Sequence, residues 1–322
     1  MSASLVLITI ILLLVIELIY FKLADYYQII DHPNNRSSHT EVTIRGGGII
    51  FPIALLLFPC YFQTSSVWFL VGLLLISAIS FADDIKHVNN KLRLTIHLVA
   101  VGLLFYQLNL FGLSWYLILF AFFFTIGTIN AINFMDGING ITGGYGLITL
   151  VTLLGINQYV TPFTDPNLLI TASCAVAVFN LFNFRKKAKC FAGDVGSVSL
   201  GFILVYFILS LILKTENFSY ILLLLVYGLD VVTTIVFRLI RKENVLEPHR
   251  SHFYQYLYND KRIPQIIVSL IYIALQLIIN GLLILTGISS IWIVLGSIAV
   301  SGIVFVKMRF MFEGTEKLLG SL

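Results

Sequence analysis

Eleven apolar stretches follow one another almost without interruption along this chain. They cover roughly 4–22, 46–63, 67–82, 92–109, 113–132, 138–158, 167–184, 197–213, 218–238, 264–287 and 289–308. A bilayer core about 30 Å thick needs about 20 apolar residues per helix. In lipid the backbone must satisfy its own polar groups, so segments of this length must be helical. Only 11% of the 322 residues are charged, against about 25% in soluble domains. No soluble surface can be built from that composition. The expectation is an all-α, polytopic integral membrane protein with about eleven transmembrane helices, forming one domain over 1–322. The first stretch has no basic segment before it and no clear cleavage site, so it reads as a retained helix.

Lysine and arginine set the orientation. With the N-terminus outside and strict alternation, nineteen of the twenty cations fall on the inner side, and only Lys214 lies outside. The C-terminus is then inside. Lys22, Arg238, Lys307 and Arg309 lie at inner helix ends, where long side chains can snorkel to water. All six histidines and most carboxylates share that face. The net charge of +4 suits an anionic leaflet or anionic substrates. No basic stripe with interleaved aromatics is present, so nucleic acid is not expected as a partner. Cys60, Cys174 and Cys190 have neither disulfide nor zinc spacing.

Four polar clusters interrupt the inner face. Asp83-Asp84 closes the third stretch, where a helix C-terminus disfavours carboxylates by roughly 0.3–1 kcal/mol each. A divalent metal, or Lys86, Lys91 and Arg93 downstream, would offset that cost. The plain alternative is a solvated helix end. Asn130 to Gly140 joins the fifth and sixth stretches with almost no loop, bringing Asn133 and Asp136 to a polar cavity or else into a simple turn. Gly193-Asp194-Val-Gly196-Ser197 opens the eighth stretch. There Asp194 can hold a metal while amides hold phosphate, or can act as an ordinary N-cap. His249-Arg250-Ser251-His252 is a compact cationic cluster suited to a diphosphate, with an interfacial amphipathic segment as its alternative. Asp230, inside the ninth stretch, is a site candidate because it is an intramembrane acid. Glu17 reads as interfacial.

Together these carboxylates, imidazoles and guanidinium on one face describe a Mg²⁺-dependent phosphoryl-transfer site. The chain resembles the polyprenyl-phosphate N-acetylhexosamine-1-phosphate transferase family, in glycosyltransferase family 4. The resemblance runs from about Asp31 to Gln255. It rests on Pro33-Asn-Asn-Arg36-Ser-Ser-His39, Arg45-Gly-Gly-Gly48, Phe81-Ala-Asp-Asp84, Asn133-Phe-Met-Asp136-Gly137, Gly193-Asp194-Val-Gly196-Ser197, Asp230 and the His-Arg-Ser-His stretch.

The resemblance implies a Mg²⁺ cofactor, with Mn²⁺ as a substitute, held by Asp194 with Asp83. It implies catalytic roles for Asp83, Asp84, Asp136, His249, Arg250 and His252. Asn133, Asp136, Gly193, Arg36 and Arg45 would bind the nucleotide-sugar. Substrates would be undecaprenyl phosphate and a UDP-HexNAc, with membrane lipid around the protein. The expected place is the inner membrane, multi-pass, with the site at the cytoplasmic face. The HRSHFYQ run resembles the O-antigen or capsule-initiating branch more than the muramoyl-pentapeptide branch. A homodimer is compatible with the sequence. The rival reading is a transporter of an anionic or lipid-linked solute.

Overall fold

The computed structural model describes residues 1–31, 42–245, 247 and 249–320. Among them, α1 (Ala3–Tyr26) starts at Ser2, whose hydroxyl accepts the Leu5 N–H at 3.3 Å. β1 (Ile30–Asp31) and β2 (Thr43–Ile44) form a short antiparallel pair, Ile30 opposite Ile44 and Asp31 opposite Thr43. The Arg36 and His39 expectations fall between these strands, outside the described residues.

The second expected span is not one helix. It consists of a 3-10 turn at Gly47–Ile49, α2 (Ile50–Leu56) and a second 3-10 turn at Phe58–Cys60. Pro59 accounts for the break, because it lacks an N–H and disfavours helical backbone at the residue before it. Next come α3 (Val67–Ile85), α4 (Asn90–Gln107), α5 (Trp115–Met135), α6 (Ile141–Tyr159), α7 (Pro166–Asn183) and α8 (Gly193–Thr215). A 3-10 run, Phe218–Leu224, leads into α9 (Leu225–Ile240). The short α10 (Phe253–Asn259) precedes α11 (Gln265–Thr286), α12 (Ile291–Glu313) and α13 (Thr315–Leu319).

The all-α, polytopic expectation agrees with this architecture. Among the described residues, eight helical segments are long and apolar enough to cross a membrane: α1, α3, α5, α7, α8, Phe218–Ile240, α11 and α12. α4 and α6 have 18 and 19 residues and coincide with expected segments, but carry more polar side chains. α8 is the axis of the bundle. Nearly all its side chains are buried, against α3 and α5 in particular. Phe69 of α3 stacks on Tyr206 of α8 with ring centroids 3.9 Å apart. By contrast α1 and α12 expose most of their apolar residues, Trp292 and Met311 among them. Such faces suit lipid, where exposing apolar surface carries no penalty.

The chain ends of these helices segregate. At one end of the bundle, the Met1 ammonium donates to Asn167 Oδ1 at 2.5 Å, Gln107 Nε2 donates to Ser65 O at 3.0 Å, and the Ser66 and Tyr206 hydroxyls meet at 2.8 Å. At the other end the C-termini of α3 and α5 meet the N-termini of α4, α6 and α8. The segment before α2 is laced to the segment before α8 by backbone hydrogen bonds. Phe191 N–H donates to Ile44 O at 2.8 Å, Gly47 N–H to Phe191 O at 2.8 Å, and Gly48 N–H to Ala192 O at 3.1 Å. This close approach requires glycine on both sides, since a Cβ on Gly196 would sit 2.6 Å from Gly48 Cα.

Two arginines depart from the snorkelling expected of them. Arg238 is 3% exposed and donates to Glu243 Oε2 at 2.9 Å and to the Asn244 carbonyl at 2.6 Å. Arg309 is 1% exposed, with Glu313 accepting at 2.5 Å. In both cases a nearby acceptor replaces water. Glu17 is likewise buried and not interfacial; Cys190 Sγ lies 3.8 Å from its Oε1.

A candidate active site at one end of the bundle

Asp84 organises the cluster. It sits in the last turn of α3, yet its carboxylate lies at the N-terminus of α8. Oδ1 accepts the Asp194 N–H and Oδ2 the Val195 N–H, each at 2.9 Å. Arg45 Nε donates to Oδ1 at 2.7 Å. The negative charge therefore leaves the unfavourable end of its own helix for the favourable end of another. This resolves the electrostatic cost that the acidic pair presents in the sequence. Gly193 makes the contact feasible. Its φ is +72°, and a Cβ there would lie 2.6 Å from Asp84 Oδ2 and 2.8 Å from Gly46 Cα.

Asp83 points elsewhere. Its Oδ1 accepts the Val88 N–H at 2.7 Å, and its Oδ2 accepts Arg93 Nη1 at 2.7 Å. His87 Nδ1 is 3.5 Å away. Arg93, one of three downstream cations expected to offset the pair, takes that role at Asp83, while Arg45 takes it at Asp84.

Asp194 is not the N-cap of α8; Ala192 holds that position. Its side chain is 26% exposed, against 8% for Asp83 and 0% for Asp84. Asn133 Nδ2 donates to Asp194 Oδ1 at 3.3 Å and to Ser197 Oγ at 3.2 Å. Arg45 Nη2 and Arg93 Nη1 stand off at 3.8 and 3.7 Å. Asp194 is thus the carboxylate of the three with unfilled acceptor capacity and access to solvent. Burial acts to lower the Arg45 pKa, but the Asp84 and Asp194 charges outweigh it, and the guanidinium titrates above its ordinary value.

Asp136 is the C-cap of α5. Burial, with the Asp194 and Asp84 charges adding to it, pushes its carboxyl up to about 7. Asn133 thus contacts Asp194 directly, and Asp136 lies close enough to feel its charge.

The His249–His252 segment packs on the same end of α5. The Phe134 ring centroid is 6.4 Å from that of His249 and 6.3 Å from that of His252. Tyr254 OH donates to the Phe134 carbonyl at 3.1 Å. The cluster is less cationic than its composition suggests. Burial pulls the His249 imidazole down to about 4. It is neutral at pH 7 and accepts the Ser251 N–H on Nδ1 at 3.3 Å. Arg250 is partly buried and carries the fixed charge of the segment.

Several partners of these groups have no motif of their own. Tyr254, Tyr272, Thr234 and Arg309 hold the histidine segment from four helices. One signal for them was present: Tyr272, Gln276 and Asn280 recur every four residues in an otherwise apolar stretch, which marks one helix face as polar and therefore buried in protein.

Among curated proteins none matches the chain. Residues 66–212, spanning α3 to α8 and so containing Asp83, Asp84, Arg93, Asn133, Asp136 and Asp194, match the model of glycosyl transferase family 4. That match supports, for the stretch that carries the acidic cluster, an enzyme of this family: in general terms, a transferase moving a sugar 1-phosphate to a polyprenyl phosphate.

Proposed function

We propose that the protein transfers a HexNAc-1-phosphate from a UDP-HexNAc to undecaprenyl phosphate at the cytoplasmic face of the inner membrane, initiating a cell-surface polysaccharide. The observation that carries the reading is the convergence of Asp84, Asp83 and Asp194 with Arg45, Arg93 and Asn133 at one end of a membrane-type bundle. A lipid phosphate oxygen attacks the β-phosphorus of the UDP-sugar, the bond from that phosphorus to the bridging oxygen breaks, and UMP leaves. The lipid phosphate has a second pKa near 6, so it arrives largely as the dianion and needs no base. The chain's work is placement. Arg45 and Arg93 are held at fixed points by Asp84 and Asp83, with Arg45 Nη2 and Arg93 Nη1 3.8 and 3.7 Å from Asp194. The Gly193 region presents a tight backbone turn, and Asn133 orients Asp194. His249, Arg250 and His252 close the side beyond Phe134. The transporter reading has no comparable support.

The donor set fits magnesium. Among the described residues no three His, Cys, Asp or Glu side chains form a ready cage. Magnesium, however, usually binds through one or two carboxylates and keeps waters and substrate phosphates as its other ligands. Asp194, with Asp136 nearby, supplies such hard oxygens. When bound, the ion would neutralise charge on the diphosphate. Asp83, with both oxygens engaged by Val88 and Arg93, serves in this reading to hold Arg93.

The direct test is UMP release by the purified protein with undecaprenyl phosphate and a panel of UDP-sugars. Release should occur with a simple UDP-HexNAc, require Mg²⁺ or Mn²⁺, and stop with EDTA. Undiminished turnover after exhaustive chelation would remove the metal. Turnover from UDP-MurNAc-pentapeptide alone would move the protein to the other branch.

Asp136 makes the pH dependence specific. Below about 7 its carboxyl is protonated and gives a cation little; above, it is ionised. kcat/KM should therefore rise with pH through about 7, and added Mg²⁺ should shift that rise to lower pH by competing with the proton. Asp136→Asn should lose the Mg²⁺-dependent inflection, leaving the titration of the lipid phosphate near 6. An unchanged profile in Asp136→Asn would exclude this role.

A further inference from the structure

One buried carboxylate takes no part in the acid–arginine cluster. Asp230 of α9 is fully buried, and five groups converge on it. Oδ1 accepts the Phe253 N–H at 2.9 Å and the Thr234 hydroxyl at 3.2 Å, and meets His252 Nδ1 at 3.2 Å. Oδ2 accepts the Tyr254 N–H at 3.2 Å and the Tyr272 hydroxyl at 2.5 Å. Two amides and two hydroxyls approach as donors, so the carboxylate acts as acceptor throughout. The His252 nitrogen facing it must then be the protonated one.

In a neutral imidazole the lone pair is left on Nε2. That atom is buried and has no hydrogen-bond partner among the described residues. Leaving a buried acceptor unpaired is costly, and here the cost is maintained by a braced structure. Arg309 of α12 donates to the Ser251 carbonyl at 2.9 Å and to Thr234 Oγ1 at 2.8 Å. The last long helix thus ties down the residue before His252 and, through Thr234, the carboxylate behind it. Neither Asp230 nor Arg309 lies in the matched stretch 66–212.

We propose that Asp230 is a positioning residue that locks His252 in the Nδ1–H tautomer, so that Nε2 accepts a hydrogen bond from a hydroxyl or amide N–H of the nucleotide-sugar. His252 then recognises a donor on the substrate and does not clamp phosphate. This rests on the transferase reading above, because the His252 ring lies against Phe134, between Asn133 and Asp136 in the chain.

The lock can be tested without activity. With six histidines in the chain, imidazole ¹⁵N labelling gives a readable spectrum, and the resonance lost in His252→Ala identifies the residue. The wild type should show a neutral Nδ1–H imidazole at His252. In Asp230→Asn the acceptor facing Nδ1 loses its charge, so the preference for the Nδ1–H form should weaken and the Nε2–H form should appear. An imidazolium or an Nε2–H ring in the wild type would overturn the lock, whether or not Asp230→Asn folds.

The kinetic arm uses the same variants. Asp230→Asn should raise KM for the UDP-sugar about tenfold, the scale of one lost hydrogen bond, with a smaller change in kcat. In the His252→Ala background the same substitution should add less than about twofold, since residues acting as one unit are not additive. Independent losses in the double variant would show that Asp230 acts on the fold and not through His252. A wild type with the expected tautomer but no turnover on any UDP-sugar would retire the transferase reading, and with it the substrate contact assigned to Nε2, while leaving the lock itself in place.

Discussion

Replacing Asp194 with Asn is expected to cut UMP release by roughly a thousandfold or more, the scale on which a metal ion contributes several kcal/mol to charge stabilisation. The fold should survive. Asp194 Oδ1 accepts one amide at 3.3 Å, its two arginine neighbours are beyond 3.5 Å, and the side chain is 26% exposed. An Asn of the same shape keeps the α8 backbone amides on Asp84. Thermal unfolding in detergent should therefore change by only a few degrees. The loss should appear as well in direct Mg²⁺ titration with UDP-sugar present. Near-normal turnover from Asp194→Asn would take the metal away from this residue.

Asp84→Ala should do the reverse and fail chiefly as a structure. The side chain is wholly buried, and it satisfies two amides at the start of α8 together with Arg45. Leaving the Asp194 and Val195 amides without their acceptor costs roughly 1–3 kcal/mol each, and Arg45 loses its anchor. The expected result is a large drop in unfolding temperature, with activity lost because Arg45 is no longer held. Asp84→Asn, which keeps one acceptor, should be milder. An Asp84→Ala protein as stable as the wild type would mean that α8 and Arg45 are held by other contacts.

The sequence revealed the class of fold and the ends of most helices, since apolar length and charge bias are strong signals in a membrane chain. It also brought together the residues of the acidic cluster. What it concealed was the division of labour among them. Asp83 and Asp84 are neighbours in the chain, but a helical step of about 100° sends one to Arg93 and the other across to α8. No periodicity reports a cap supplied by another helix. The broken second span was hidden in a similar way, because Phe58-Pro59 is apolar and preserves hydropathy while ending the helix. Arg309 looked like an interfacial cation because its buried acceptors, Ser251 O and Thr234, lie far from it in the chain.

The backbone lacing between Ile44–Gly48 and Cys190–Ala192 has a consequence for how the protein is made. Its two strands of chain are separated in synthesis by α2 through α7. Contacts between distant parts of the chain form late, after loop closure has been paid in entropy. Until the start of α8 leaves the ribosome, Asp84 has no amides to bind, and Ile44, Gly47 and Gly48 lack their backbone partners. The earlier helices must therefore wait in the bilayer with their charged ends in water. Insertion of α8 along the axis of the bundle is the step that assembles the acidic cluster, and a nascent chain halted after α7 would be threaded through the membrane with that cluster incomplete.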